Sequence, residues 1–121
     1  MYTHSSAVQL IEEAFPSLRE DLHDEIIDGL LHPQIGEFAR YAQNAIDAGD
    51  KLAWRQVTDI FIALWSNCDH SVKNALNVSF LEHLNFNDEK KQRSWAFEAM
   101  PESMRTAWRN MDEYNRRIHG G

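Results

Sequence analysis

Cysteine, proline and glycine are all scarce in this chain of 121 residues, which contains one, three and five of them respectively. The single cysteine, Cys68, excludes an internal disulfide and a cysteine-rich zinc site, and so indicates a reducing compartment. Because Cys68 lies at the end of an apolar helical stripe, we expect a buried thiol and not a nucleophile. Only three glycines precede the C-terminal pair, and they do not form the Gly-rich loop typical of nucleotide binding.

Long apolar runs are also missing. No stretch approaches the roughly 18 residues of a membrane-spanning helix. The first six residues lack the basic and then apolar pattern of a signal peptide. We therefore expect a cytoplasmic protein with no membrane partner.

Motifs for metal binding and catalysis are absent from the sequence, although it contains six histidines. The pair Glu20-x-x-His23 occurs once, whereas di-iron sites in helical bundles need two such pairs. His70 and His83 lie about 20 Å apart on a predicted helix, which is too far to share an ion. We predict no metal, no cofactor, no catalytic residue and no enzyme. A polar, enclosed pocket that joined Asn74, Asn77 and a histidine would revive an enzyme as a third option.

Helical periodicity runs through nearly the whole chain, and no segment alternates apolar and polar residues with the period of a strand. Prolines, glycines and capping residues divide the pattern into seven predicted helices over 5–15, 17–31, 33–49, 50–68, 69–84, 87–100 and 101–118. We therefore predict an all-α, single compact domain over residues 1–121, with about six or seven antiparallel helices. A bundle and a short helical-repeat stack both fit this pattern.

The segment 69–84 has the widest apolar face and is predicted to be the buried central helix, capped by Asp69. Val72, Ala75, Leu76, Ser79 and Phe80 recur at helical spacing, and Val78 and Leu81 are expected to widen the stripe. Asn74 and Asn77 lie beside the stripe. We expect their amides to hydrogen-bond to a neighbouring helix or loop, and a ligand or partner contact is the alternative.

Four tryptophans fall on inward stripes of the predicted helices, and we expect them to belong to the core: Trp54, Trp65, Trp95 and Trp108. Trp54 is near the start of its helix and is the one expected to be partly exposed. Such a tryptophan would make a good interface anchor.

Positive charge is nearly missing from the first 50 residues, which contain ten acidic residues and only two basic ones, Arg19 and Arg40. The net charge of the whole chain is −7, so the N-terminal part accounts for the entire negative excess. Phosphate contacts need lysine and arginine, which argues against direct nucleic-acid binding. A basic protein surface is a more plausible partner.

The predicted helix 17–31, capped by Ser17, carries most of this charge opposite an apolar face that includes Leu22, Ile26, Ile27 and Leu30. Like charges at i, i+4 are unfavourable, and this helix contains three such pairs. They indicate either a solvated face that keeps the protein soluble or a surface that docks a cationic partner. The candidate partner-binding residues are Glu20, Asp21, Asp24, Glu25 and Asp28, with Glu12 and Glu13 at the edge.

Two stretches, His-Pro-Gln-Ile-Gly-Glu-Phe-Ala-Arg-Tyr at 32–41 and Val-Lys-Asn-Ala-Leu-Asn-Val-Ser-Phe-Leu-Glu-His-Leu at 72–84, carry a family resemblance. With Met100 and Pro101, they resemble a family of small all-helical bacterial proteins similar to the immunity proteins of polymorphic or contact-dependent growth-inhibition toxins. The resemblance implies an immunity protein that neutralises a cognate toxin domain, with a basic nuclease as the favoured class. It transfers no site residues. The alternative is a helical adaptor that binds a non-toxin partner through a groove between helices.

Overall fold

The computed structural model describes residues 1–119, which form seven α-helices and no strand within that range. The helices are α1 (His4–Ala14), α2 (Arg19–Leu22), α3 (Leu31–Ala48), α4 (Lys51–Ser66), α5 (His70–Ala75), α6 (Ser94–Ala99) and α7 (Glu102–His119). A 3₁₀ turn (Pro16–Leu18) precedes α2, and α5 continues into a π-turn (Leu76–Phe80) and a 3₁₀ turn (Leu81–His83). The prediction of a single all-α domain is confirmed. None of the helices in the described range is long and apolar enough to cross a membrane.

Three of the predicted helix ends are confirmed by their capping contacts. The side chain of Asp50 accepts a hydrogen bond from the Ala53 amide at 3.0 Å, and that of Asp69 accepts one from the Val72 amide at 2.9 Å. Gly49 ends α3 in the left-handed region, with φ of 67°. The start of α1 was predicted two or three residues too late, because Thr3 is the N-cap and its amide donates to the Ser6 hydroxyl.

The segment from α5 through the two turns after it is the buried centre of the fold, as predicted. It contacts α1, α3, α4 and α7. Leu76 and Leu81 are both fully buried although they are five residues apart, because the π-turn places one extra residue in the helical turn. The same extra residue leaves Val78 44% exposed, so the prediction that Val78 widens the buried stripe is wrong.

Trp54 is only 1% exposed, so the expectation that it would be partly exposed is wrong. Its indole Nε1 donates a hydrogen bond to the carbonyl of Ala96 at 2.9 Å, because α6 packs over the start of α4. The other three tryptophans pack against the core and are half-buried: Trp65, Trp95 and Trp108.

Helix α6 begins at Ser94. The capping pattern had predicted a start at Asn87, which is wrong. Asp88 supplies the carboxylate that accepts from the amide of Ser94 at 2.8 Å. Asn87 instead accepts from the Glu89 amide within the loop, a local bond that competes with helix formation. At the end of α7, Ile118 was predicted to face inward and is 56% exposed.

Cys68 lies beside the N-terminal residues, where its neighbours Asn67 and Asp69 exchange backbone hydrogen bonds with Tyr2 at 2.8 and 2.9 Å. The thiol is half-buried, whereas the sequence predicted a buried one. Burial raises its pKa, which keeps the thiol protonated and disfavours a nucleophilic role.

Replacing Trp54 with phenylalanine tests the buried hydrogen bond. Because Trp54→Phe leaves the Ala96 carbonyl without a donor, we expect the free energy of unfolding to fall by about 2 kcal/mol, measured by urea denaturation. Trp95→Phe is the size-matched control at a half-buried site and should cost less than half as much. Equal losses from the two variants would contradict a specific role for this bond.

Candidate functional site: an acidic surface near the N-terminus

The acidic segment predicted as one helix over 17–31 is not one helix. Helix α2 ends at Leu22, residues 23–30 form successive turns, and α3 begins at Leu31. Ser17 lies inside the 3₁₀ turn and makes no capping hydrogen bond. The predicted row of carboxylates at i, i+4 spacing is therefore not formed.

Two residues explain why the helix stops. The side chain of Asp24 accepts a hydrogen bond from the Ile26 amide at 2.9 Å, and this local bond competes with the helical pattern. Gly29 has φ of 80°, a conformation that few residues other than glycine adopt. Continuing the helix would also have cost the repulsion of its like-charged pairs.

The seven predicted site residues fall on three elements. Glu12 and Glu13 lie on α1, Glu20 and Asp21 on α2, and Asp24, Glu25 and Asp28 in the segment 23–30, which we call the acidic turn. The whole set is called the acidic surface below.

His23 is the first residue of the acidic turn and connects this turn to α1. Its Nε2 lies 2.8 Å from a carboxylate oxygen of Glu12, and its Nδ1 lies 2.8 Å from one of Asp28. The hydrogen bonds to Asp28 and then to Glu12 raise the pKa of His23, because only the imidazolium form can donate to both. Sequence reasoning placed Glu12 at the edge of the site and did not predict that it approaches Asp28.

The arginines of the chain compensate the acidic surface only in part. Arg19 is 3.8 Å from Glu12, and Arg40 is 3.7 Å from Asp21 but much closer to Glu37, at 2.5 Å. Seven carboxylates and these two arginines leave a formal charge of −5 when His23 is neutral. In residues 1–119, the side chains of Glu20 and Glu25 form no ion pair or hydrogen bond, so both are available to a partner.

The acidic turn also contains two exposed apolar side chains. Ile26 is 79% exposed and Leu30 is 51% exposed, although both were predicted to face the core. They point to solvent because the helix that would have turned them inward is replaced by the acidic turn. Gly29, together with the local hydrogen bonding expected of Asp24, was the signal in the sequence that could have identified this turn.

Gln34 fixes the acidic turn to the rest of the fold. It is only 2% exposed, and its side-chain amide donates to the Leu22 carbonyl at 2.9 Å. Its oxygen lies 2.6 Å from Nε2 of His4 on α1. The start of the turn is therefore anchored to both α1 and α3.

A shallow cleft of about 450 Å³ lies between α1 and the acidic turn, and its walls include His4, Glu12, His23 and Asp28. The part of the chain that the structure describes contains no group of three or more His, Cys, Asp or Glu arranged to hold a metal ion.

The fold and this surface define a small all-helical domain with an acidic face that carries exposed apolar side chains. Residues 8–116 match the family described as Domain of unknown function (DUF7674), and the chain belongs to this family. No curated protein and no solved structure matches the chain. The family description names no activity.

His23 predicts a pH dependence of stability. Its pKa is raised in the folded protein above the ordinary value of 6.5, so protonation of His23 stabilises the fold. This contribution is fully present below about pH 6.5 and is lost as the pH rises through the higher folded value. We expect His23→Gln to be less stable than the parent protein at low pH, with the difference shrinking at alkaline pH.

The measurement is urea denaturation of both proteins between about pH 5.5 and 8.5. His83→Gln, at an exposed position on the central segment, is the control and should leave the profile unchanged. A stability difference between His23→Gln and the parent that stays constant with pH would show that protonation of His23 does not contribute to stability.

Proposed function

We propose that this protein is an immunity protein that binds and neutralises a cognate bacterial toxin domain through its acidic surface. The observation that carries the proposal is an anchored turn that exposes Ile26 among carboxylates that the chain itself leaves largely uncompensated. The family resemblance of residues 32–41 and 72–84 supports the same class. Inhibition would be steric and electrostatic, with no chemical step.

A nuclease is the favoured toxin because its nucleic-acid site must be basic. Lysine and arginine at such a site neutralise phosphates, and a protein that presents carboxylates there competes for the same cations. The formal charge of about −5 on the acidic surface also accelerates the approach of a basic partner through long-range attraction.

The acidic surface contains both kinds of side chain that protein interfaces combine, exposed apolar residues and charged ones. Ile26 and Leu30 supply apolar contact area, and Asp24, Glu25 and Asp28 are their neighbours in the sequence. At protein interfaces a few anchors that enter a pocket of the partner supply most of the affinity. Charges at the rim contribute mainly to association rate and specificity.

We propose different roles for the predicted site residues, according to the contacts that each one makes. Glu20 and Glu25 are proposed to pair directly with the toxin. Asp24 shapes the turn through the Ile26 amide, and Glu12 and Asp28 hold the turn through His23. These last three carboxylates are proposed to position the interface, even where they also contact the toxin.

A helical adaptor that binds a non-toxin partner is the second candidate. The groove between the central segment and α7, described below, favours it. A toxin gene beside the gene for this protein supports the immunity function, whereas a signalling operon or an isolated gene supports the adaptor.

Co-expression with the product of the neighbouring reading frame tests the proposed function. We expect that product to be toxic alone in a bacterial host, and we expect this protein to suppress the toxicity and to co-purify with it. A toxic neighbour that this protein neither binds nor suppresses would contradict the proposal.

Reversing two free charges should slow association with the toxin. We expect Glu20→Lys with Glu25→Lys to lower the association rate constant at least about tenfold at low salt, and less at high salt. The measurement is stopped-flow or surface-plasmon-resonance kinetics at two ionic strengths. Both side chains are exposed, and neither forms a hydrogen bond or an ion pair within residues 1–119, so folding should be retained.

The matched control reverses two exposed glutamates elsewhere, with Glu89→Lys and Glu98→Lys. Glu89 lies in the loop before α6, and Glu98 lies in α6. This region packs near the C-terminal end of α3, whereas Gln34 anchors the acidic turn near the N-terminal end of α3. Equal slowing by both double variants would indicate that net charge alone controls association and would remove the acidic surface from the proposal.

Removing the exposed apolar side chain of Ile26 in the acidic turn should weaken the complex through faster dissociation. We expect Ile26→Ser to raise the dissociation constant about tenfold, or about 1.4 kcal/mol, with no loss of folding stability because the side chain is exposed. Leu52→Ser is the control, since Leu52 is 70% exposed on α4. Unchanged binding by a folded Ile26→Ser variant would show that Ile26 lies outside the interface.

A further inference from the structure

A second surface suited to binding lies between the central segment and α7. It is a groove of about 670 Å³ whose walls come from α5, the turns that follow it and α7, with Trp65 of α4 at one side. This volume is in the range of ordinary ligand sites. None of the acidic surface residues lines it.

Side-chain amides are concentrated on both walls of the groove. Asn74 and Asn77 lie on the central segment, and Asn110 and Asn115 lie on α7. Asn74 and Asn77 form no side-chain hydrogen bond to a neighbouring element within residues 1–119, so the tie expected from the sequence is absent there. Asn115 donates only to the weak sulfur acceptor of Met111, at 3.3 Å. Each amide offers one acceptor and two donor hydrogens, which matches the main chain of an extended peptide.

The π-turn shapes the wall that carries Asn77. Its extra residue lets both Leu76 and Leu81 remain buried, and it leaves Asn77 half-buried and Val78 exposed at the groove. Single π-turns within helices are rare and often occur at functional sites. Val78 and Tyr114, which is 63% exposed, add apolar area for the side chains of a bound peptide.

Opposite charges lie on the central segment at two points along the groove. Lys73 and Glu82 both line it, and neither forms an ion pair within residues 1–119. Nine residues of helix separate them, which corresponds to about 13 Å along the helix axis. An extended peptide covers that distance in about four residues.

The groove is less suited to a saccharide, which requires an open aromatic face on which to stack. One face of Trp65 is covered by Phe61, with ring centroids 5.4 Å apart and planes 19° apart. The ammonium group of Lys73 lies 4.6 Å from the centroid of the same ring. A peptide needs no such platform, because the asparagines and the two charges can recognise it.

We propose that this groove binds an extended peptide segment that places an acidic residue beside Lys73 and a basic residue, about four positions away, beside Glu82. The asparagines bind the main chain of the segment, and the charge pair sets its direction. This site is independent of the acidic surface, so a failure of either leaves the other untouched.

Fluorescence anisotropy with labelled peptide pools tests the proposal. One pool has the pattern Asp-x-x-x-Lys and the other Lys-x-x-x-Asp, with the intervening positions randomised in both. We expect the protein to prefer one pool by about tenfold, since both charges are mismatched in the other. The double variant Lys73→Glu with Glu82→Lys should reverse that preference.

The asparagines are tested separately. Asn77→Ala with Asn110→Ala should weaken binding of the preferred pool about tenfold, whereas Asn44→Ala, at an exposed position on α3 outside the groove, should not. Circular dichroism checks that each variant is folded. Three outcomes would overturn the proposal: no binding of either pool, a preference that the charge swap does not reverse, or binding of an oligosaccharide panel that the asparagine variant abolishes.

Discussion

Phe80 is the centre of a stack of aromatic rings on which the arrangement of the helices depends. Its ring centroid lies 4.6 Å from that of Phe38 on α3 and 5.4 Å from that of Phe61 on α4. All three rings are fully buried. Because they come from three different elements, the stack fixes the central segment against α3 and α4, and truncating one such ring typically costs about 3–5 kcal/mol.

The stack also explains what the family resemblance can transfer. The stretches 32–41 and 72–84 are joined by the Phe38–Phe80 contact and by a hydrogen-bond contact of 2.7 Å between Nδ1 of His32 and the Ser79 hydroxyl. The residues that carry the resemblance therefore include a buried contact that defines the fold. The acidic turn lies outside both stretches, so the resemblance is informative about architecture and carries no information about which toxin would be bound.

The predictable parts of the fold were those in which one local interaction decides the outcome. Asp50, Asp69 and Gly49 were predicted correctly because a capping carboxylate or a left-handed glycine acts within a few residues. The π-turn was not predictable in this way, since it depends on how Phe80 and Leu81 pack against neighbouring helices. Tertiary contacts of that kind leave no periodic signal in the sequence.

The prediction of one helix over 17–31 was wrong for a different reason. The apolar residues of 17–31 follow a helical period, and that period favoured a helix although Asp24 and Gly29 both favour a turn. In the structure, the local bond of Asp24 and the contacts of His23 with Glu12 and Asp28 outweigh the burial that Ile26 and Leu30 would have gained. The acidic composition of this segment is therefore evident from the sequence, whereas its geometry and its exposed apolar residues were not predictable from it.

Solubility alone is an incomplete account of this surface. A solvated face needs only charge, and single exposed apolar residues are common on protein surfaces. Here two of them, Ile26 and Leu30, occur four residues apart in one turn whose start is anchored by a buried glutamine and whose end is held through His23. Anchoring lowers the conformational entropy lost on binding, which benefits an interface and has no value for solubility. The combination of anchoring, exposed apolar area and unpaired carboxylates supports the proposed docking role over simple solvation.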